Sequence, residues 1–421
     1  MQAPQVPPKV IMITYLVACN IEFVAMSDFI VLALDLSQEE CQMPTRQTRP
    51  LKACGIAGRE GYTLFPVLGS KSRVRIARIA LLSSLRHCLW AWCLACLYGA
   101  AAPVRAEERP IGIILAAGDI ATCSTDPVRN GTATASLVMR EIEKARASYP
   151  DVEVRVIALG DLAYDRGSAG SVACFDKSWG QFRDRILPVP GNHDYEFDGK
   201  ASAYFSYFNS TFAALNANEK IGTYALDFPS TGSSRWRLIA LNSNTSTGAQ
   251  SPQARWLESE LQAARGRCVI AFSHAFFYSS GFHGHKDAQD VGQPLAPLEV
   301  MRPLFTTLYN YRTSVFLAGH DHHYEQLGRA GPNAKPDDLG LSAVAVDGVR
   351  SFVVGTGGKA LYQKDYKKKW AFTEAYDLRS FGILKIELHP TSYSWEFLPT
   401  VPSSSMVIVK QMNSDICNLA N

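Results

Sequence analysis

The chain reads as an α/β protein with helices layered on β-sheet, and three observations carry that reading. Apolar runs of strand length alternate with stretches of helical period from Ile111 to Ala318. Further β-like runs follow between Ser351 and Pro399 with no helix between them. Chemically able polar residues sit just past the ends of the apolar runs rather than inside them. In an open α/β sheet those ends converge on one crevice.

Ile111 to Ala117 is an apolar strand that stops at Gly118-Asp119. Thr132 to Ser148 has helical period, with Leu137, Ile142 and Ala145 on one side. Val152 to Leu159 is a second strand, ending at Gly160-Asp161, and Ile186 to Val189 a third, ending at Pro190-Gly191-Asn192-His193-Asp194. Trp236 to Leu241 is a fourth, followed by Asn242-Ser243-Asn244. Ser251 to Arg265 is a helix that turns Trp256, Leu257 and Leu261 inward, and Cys268 to Phe272 is a fifth strand ending at Ser273-His274. Pro297 to Tyr309 is a helix before the strand Thr313 to Ala318, which Gly319 stops. In the tail, Gly382 to Leu388 and Ser392 to Leu398 alternate as strands do. Residues 166–180 and 328–350 read as loops.

Length and composition bound the rest. At 421 residues and 47% hydrophobic content the chain has enough apolar material for a large core. A net charge of +3 implies no polyanion-binding surface, and Lys364, Lys367, Lys368 and Lys369 read as a solvated loop. Residues 71–106 read as an export signal: Lys71, Arg73, Arg75 and Arg78 open it, and Cys88 to Ala102 is almost wholly apolar. That apolar stretch is short for a membrane span. Val104-Arg105-Ala106 has the small-x-small form of a cleavage site. Residues 1–70 show no clear period and are expected to be absent from the working protein, as a mis-assigned start codon would explain. The mature protein, 107–421, is then exported to the periplasm or beyond, with no stable membrane association. There its four remaining cysteines, Cys123, Cys174, Cys268 and Cys417, meet oxidising conditions. Four cysteines permit three pairings. Sequons begin at Asn130, Asn209 and Asn244.

His320 and His322 stand at i and i+2 beyond their strand, so both imidazoles share a face of an extended segment. Asp119, Asp161, Asn192 and His274 lie just past four other strand ends. Any one of these has an ordinary explanation as a turn residue, a helix cap or a hydrogen-bonded loop histidine. Six at successive strand ends indicate a metal site. Carboxylates, imidazoles and an amide oxygen suit iron, zinc or manganese. One carboxylate can bridge two cations roughly 3.5–4 Å apart, which lower the pKa of water and clamp phosphoryl oxygens.

The blocks Gly160-Asp161-Leu162-Ala163-Tyr164, Gly191-Asn192-His193-Asp194, Ser273-His274 and Gly319-His320-Asp321-His322 resemble those of calcineurin-like metallophosphoesterases. Tyr164, three residues after Asp161, narrows the resemblance to the purple acid phosphatase branch. It runs from about Ile111 to Phe397. It implies two packed mixed sheets flanked by helices in four layers, with Ser351 to Pro399 closing the second sheet. It implies Asp119, Asp161, Tyr164 and His322 around a first metal, Fe(III) at the tyrosine. Asp161 would bridge to a second metal, iron, zinc or manganese, completed by Asn192, His274 and His320. His193 would face the phosphate from outside the ligand set. His283 and His285 are candidates for a further histidine that holds phosphate or protonates the leaving alkoxide, and His283 better matches the family's histidine-glycine pair.

The implied activity is hydrolysis of phosphomonoesters by a metal-activated hydroxide. A phosphodiesterase of the same superfamily and a non-catalytic phosphate-binding relative are the alternatives. Two features depart from the family: Ala121 stands where glycine is usual, and the large N-terminal sandwich of plant-type members is missing, as in compact bacterial secreted forms. Cys123 and Cys174 lie near the first two motifs, where a disulfide would brace the site. Gly355-Thr356-Gly357-Gly358-Lys359 lacks the spacing of a nucleotide-binding loop and reads as a glycine-rich turn at the site's rim.

Overall fold

The computed structural model describes residues 109–421, apart from 165, 219, 233, 285–296, 335–346, 363–368, 403, 409 and 421. The upstream extension (1–70), the export signal (71–106) and His285 lie outside the described residues.

Two sheets form. The first has six strands in the order β14-β12-β11-β1-β2-β3, and the second has eight in the order β13-β10-β8-β9-β7-β6-β5-β4. In the first, β1 (Gly112–Ala117), β2 (Glu153–Leu159) and β3 (Ile186–Val189) are parallel. Parallel neighbours need crossovers, supplied by helices α1 (Thr132–Ser148) and α2 (Ala169–Trp179). Three short helices, α3 (Asn192–Tyr195), α4 (Ser202–Tyr207) and α5 (Asn209–Ala214), then lead to β4 (Tyr224–Phe228). In the second sheet β5 (Trp236–Ala240), β6 (Cys268–Phe272) and β7 (Val315–Ala318) are parallel, joined through α6 (Pro252–Ala263) and α7 (Pro297–Asn310). Ser251 caps α6 by accepting the Ala254 N–H, with Pro252 at the first turn.

The parity of each strand explains the layers. In β6, Cys268, Ile270 and Phe272 join the core between the sheets, with Ile114, Ile157, Leu187, Leu317 and Phe352. Val269 and Ala271 face the other way, with Leu257 and Leu261 of α6 and Leu304, Phe305 and Leu308 of α7. Strands covered on both faces are apolar throughout, which is why these runs were so legible. Helix α1 lies against β2 and the tail strand β11 (Gly382–Leu388) on the first sheet. The result is helix, sheet, sheet, helix.

Three readings change. Residues 166–180 are not a loop but mostly α2, capped by Ser168, which accepts the Ser171 N–H. Its buried face is only Ser171, Val172, Phe175, Ser178 and Trp179, too mixed to show a helical period. Within the supposed loop 328–350, β8 (Tyr324–Ala330) and β9 (Val349–Val354) occupy the ends. The first was obscured by Glu325, Gln326 and Arg329, which are buried yet bonded: Glu325 accepts from Ser280 and Thr373, and Arg329 binds Asp415. Finally, Ser351 to Pro399 does not all close the second sheet. β9 and β10 (Thr373–Asp377) do, but β11 and β12 (Ser392–Pro399) extend the first, with β11 antiparallel to β1. The pairs β13 (Val407–Ile408) with β10 and β14 (Ser414–Ile416) with β12 finish the two edges.

Of the three cysteine pairings, the fold selects Cys123–Cys174 and Cys268–Cys417. The first ties the segment after Asp119 to α2, and the second ties the tail to β6. Among the described residues no helix is long and apolar enough to cross a membrane.

Candidate metal centre

The C-terminal ends of β1, β2, β3, β6 and β7 come together, so the site draws on both sheets rather than on one. Asp119, Asp161 and His320 follow their strands with φ of 59°, 50° and 70°. The left-handed region costs an ordinary residue about 1–2 kcal/mol, and such strain gathers where side chains must be aimed. The loops also need close approach. A Cβ on Gly191 would stand 2.1 Å from Asp161 Oδ1 and 2.2 Å from the Asp161 nitrogen, so only glycine fits there.

All seven residues expected to hold metal lie in one contiguous cluster. The Tyr164 hydroxyl is 2.7 Å from Asp119 Oδ1, 3.0 Å from Asp161 Oδ2 and 3.1 Å from His322 Nε2. His322 Nε2 is 3.2 Å from Asp119 Oδ1. On the other side of Asp161, His274 Nε2 is 3.4 Å from Oδ2, and Asn192 Oδ1 and His320 Nδ1 each stand 3.1 Å from His274 Nε2. Asp161 Oδ2 therefore touches both groups. His274 Nδ1 faces the Leu159 carbonyl at 2.8 Å and His322 Nδ1 the Ala360 carbonyl at 2.7 Å. Each of those nitrogens carries its proton into that bond, so Nε2 is the nitrogen turned to the cluster and the one a metal ion would take.

His193 sits beside this cluster. Its backbone N–H donates to Asp161 Oδ1 at 2.8 Å, and its ring lies 4.8 Å from that of Tyr164. The His283 ring is 4.4 Å from that of His320, and the His283 backbone N–H donates to Asp321 Oδ1 at 3.0 Å. Ala121 is buried, pairs with Ala163 and accepts the Tyr164 N–H at 2.7 Å. Those contacts use only the backbone of Ala121, so alanine in place of glycine leaves them intact.

Several residues of the site escaped sequence reasoning. Glu196 holds His193 Nδ1 at 2.7 Å, one helical turn on, and that i,i+3 spacing was a readable signal. Asp194 is buried and accepts the Gly191 N–H at 2.8 Å. Asp321 is buried and accepts from Ser279 Oγ at 2.5 Å, which fixes the segment carrying His283. Tyr362 stacks on His322 at 4.1 Å. Asn244 gives its side-chain amide to the Pro190 carbonyl at 3.0 Å, so this sequon asparagine supports the turn before Asn192.

The electrostatics suit cations. Burial opposes ionisation of Asp161, but His274, His193 and His320 hold its carboxyl far below the usual range. Burial, then the Asp161 charge, pushes Asp194 up to about 7. Burial, then Asp119 and Asp161, holds the Tyr164 phenol well above its ordinary value. Burial, then the neighbouring His274 and His283, holds the His320 imidazole well below its ordinary value. In His274 burial is overcome by Asp161 and Asp119, which raise it to about 9. A cluster of buried carboxylates and imidazoles that must borrow protons to balance its charge is one that metal ions fit, and Asp119, Asp161 and His274 meet within 4.8 Å.

His274 keeps its proton to about pH 9 in the folded, metal-free protein against about 6.5 unfolded. Its contribution to stability is complete below 6.5 and is lost as pH rises through about 9. Metal-stripped protein should therefore melt at lower temperature as pH rises across that window, while metal uptake strengthens there because the ion displaces the proton. A melting temperature of stripped protein that climbs across the same window would contradict the Asp161–His274 contact.

With the geometry in view, the comparisons are direct. Residues 112–324, just over half of the chain, match the calcineurin-like phosphoesterase family. The chain is 27% identical over 190 residues to the Fe(3+)-Zn(2+) purple acid phosphatase 12 of Arabidopsis thaliana, covering 41% of this chain and 37% of that protein. It is 24% identical over 187 residues to a purple acid phosphatase of Glycine max, covering 41% and 38%. The chain thus spans well under half the length of the curated relatives it matches. In fold it is similar to the purple acid phosphatase PPD1 from yellow lupin seeds, with a TM-score of 0.52 and 16% identity over 74% of this chain and 54% of that one.

Proposed function

We propose, from the premise that the chain belongs to the calcineurin-like phosphoesterase family and to its purple-acid-phosphatase-like branch, that it is a dinuclear metal-dependent phosphatase acting on phosphomonoesters. One observation carries the proposal: seven donors form an unbroken cluster in which Asp161 Oδ2 is common to two groups. Asp119, Asp161, Tyr164 and His322 would hold one cation, Fe(III), and Asp161, Asn192, His274 and His320 the other, iron, zinc or manganese. Such a pair, when bound, supplies Lewis acidity that makes water nucleophilic near neutral pH and neutralises the phosphoryl oxygens.

The chain's own groups do the rest. The carbonyls of Leu159 and Ala360 orient His274 and His322. His193, held by Glu196, faces the phosphate. His283, anchored through its backbone N–H to Asp321, is placed to hold phosphate or to protonate the leaving oxygen in acid, since burial lowers its pKa. The acting form is proposed to be the exported chain after Ala106, in keeping with the two disulfides. Amino-terminal sequencing of protein collected outside the host cytoplasm checks this, and a start upstream of Lys71 refutes it.

Turnover of p-nitrophenyl phosphate should exceed that of its bis ester in kcat/KM. The reverse ratio moves the protein to the phosphodiesterase reading. Phenolate bound to Fe(III) absorbs visible light, so Tyr164→Phe should bleach the protein. An unchanged spectrum removes iron-tyrosinate from the account.

A further inference from the structure

The glycine-rich run Gly355–Lys359 carries a charge that the proposed reaction leaves unused. Its amides are largely spent on carbonyls: Gly355 donates to His323 at 3.2 Å, Gly357 to Gly118 at 2.9 Å and Lys359 to Asp119 at 2.9 Å. They do not form a phosphate cradle. Instead the run is laid tightly against the Asp119 turn. A Cβ on Gly355 would stand 2.1 Å from the Asp321 carbonyl oxygen and 2.8 Å from Asp119 Oδ2. This packing delivers Lys359 to a fixed place, with its ammonium 4.1 Å from the centroid of the Tyr164 ring. The ring is 1% exposed, and its oxygen bonds Asp119 and Asp161.

We infer that Lys359 tunes Tyr164 as a metal donor, its ammonium on the ring face setting how readily the phenolate oxygen gives electron density to the cation it holds. A cation over a buried aromatic face is held by the ring's negative quadrupole, and the attraction grows as the ring gains electron density. Excitation of a phenolate–Fe(III) band moves an electron from the ring to the metal, leaving the ring electron-poor beneath a positive charge. That costs more energy than it would without the ammonium. Lys359 therefore moves the band to shorter wavelength and weakens the donor. Lys359 is a positioning residue by this account, not a catalytic one, and the inference rests on the iron-tyrosinate reading above.

The test uses the iron-loaded wild-type protein beside Lys359→Met, Lys359→Gln and Lys359→Arg, with iron content measured in each. The two neutral variants should shift the visible band to longer wavelength by roughly 20 nm. Arginine, which keeps the charge and also stacks on rings, should hold the band near its wild-type position. Using two neutral variants guards against a folding failure in one. A band that stays put in the neutral variants with iron retained overturns the inference. So does an arginine variant that shifts as far as they do. A raised KM for p-nitrophenyl phosphate with an unmoved band assigns Lys359 to substrate binding and also overturns it. A wild-type protein that binds iron without a visible band fails earlier, at the iron-tyrosinate reading itself, so the two failures are distinct.

Discussion

Asp161→Asn should lower kcat on p-nitrophenyl phosphate by at least about 10³-fold and reduce bound metal below two ions per chain. The Asp161 Oδ2 atom lies 3.0 Å from the Tyr164 oxygen and 3.4 Å from His274 Nε2. An amide keeps one oxygen, which can still accept the His193 N–H that Oδ1 now takes at 2.8 Å. Its NH2 group then occupies the bridging position, where two cations need a negative oxygen. Both metals lose a ligand at once, so the loss should be larger than for any residue serving one ion. The fold should survive. Asparagine has the volume of aspartate, and in metal-free protein the change removes a charge that raises buried Asp194. Elemental analysis, steady-state kinetics and a melt of the stripped variant measure the three claims. Two retained ions with undiminished turnover would contradict the bridging role.

Gly191→Ala should produce the second-largest effect, through shape rather than charge. The residue has φ of −97°, so alanine is not excluded by backbone conformation. The obstacle is the Cβ itself, 2.1 Å from Asp161 Oδ1 and 2.2 Å from its backbone nitrogen. Neither is the free end of a flexible chain, so the loops after β2 and β3 must separate. Overpacking of this kind costs about 1–3 kcal/mol, and here it also pulls Asn192 and Asp161 apart. The variant should melt several degrees lower and lose most of its metal and turnover. Gly248→Ala is the control. A Cβ there meets nothing within 4 Å, so stability should move by less than about 0.5 kcal/mol. A Gly191→Ala protein with wild-type metal content would show that the loops are less closely engaged than the structure has them.

The sequence was most readable where one residue type has few ways to be accommodated. β1, β6 and β7, covered on both faces, are unbroken apolar runs that stop at Gly118, Ser273 and Gly319, and the donors that follow them stood out as polar residues at abrupt stops. Reading weakened where polarity is internal. β8 is buried at every residue yet carries Glu325, Gln326 and Arg329, whose partners Ser280, Thr373, Glu374 and Asp415 lie far along the chain. α2 was missed because a short helix under a disulfide needs little apolar surface of its own. Asp321 and Lys359 were missed because each acts on a residue whose proximity only the fold creates, whereas Glu196, one helical turn from His193, was a local signal left unread.

By itself, the order of residues determined the apolar strands that lead into the site and the donor types at their ends, because periodicity and side-chain chemistry are local properties. Only the tertiary structure decided which cysteines pair, that the tail strands β11 and β12 join the first sheet beside β1, and that an ammonium rests on the Tyr164 ring. Those are contacts between distant stretches of chain, settled by how two sheets and their helices close over a shared core. No short window of sequence contains that closure.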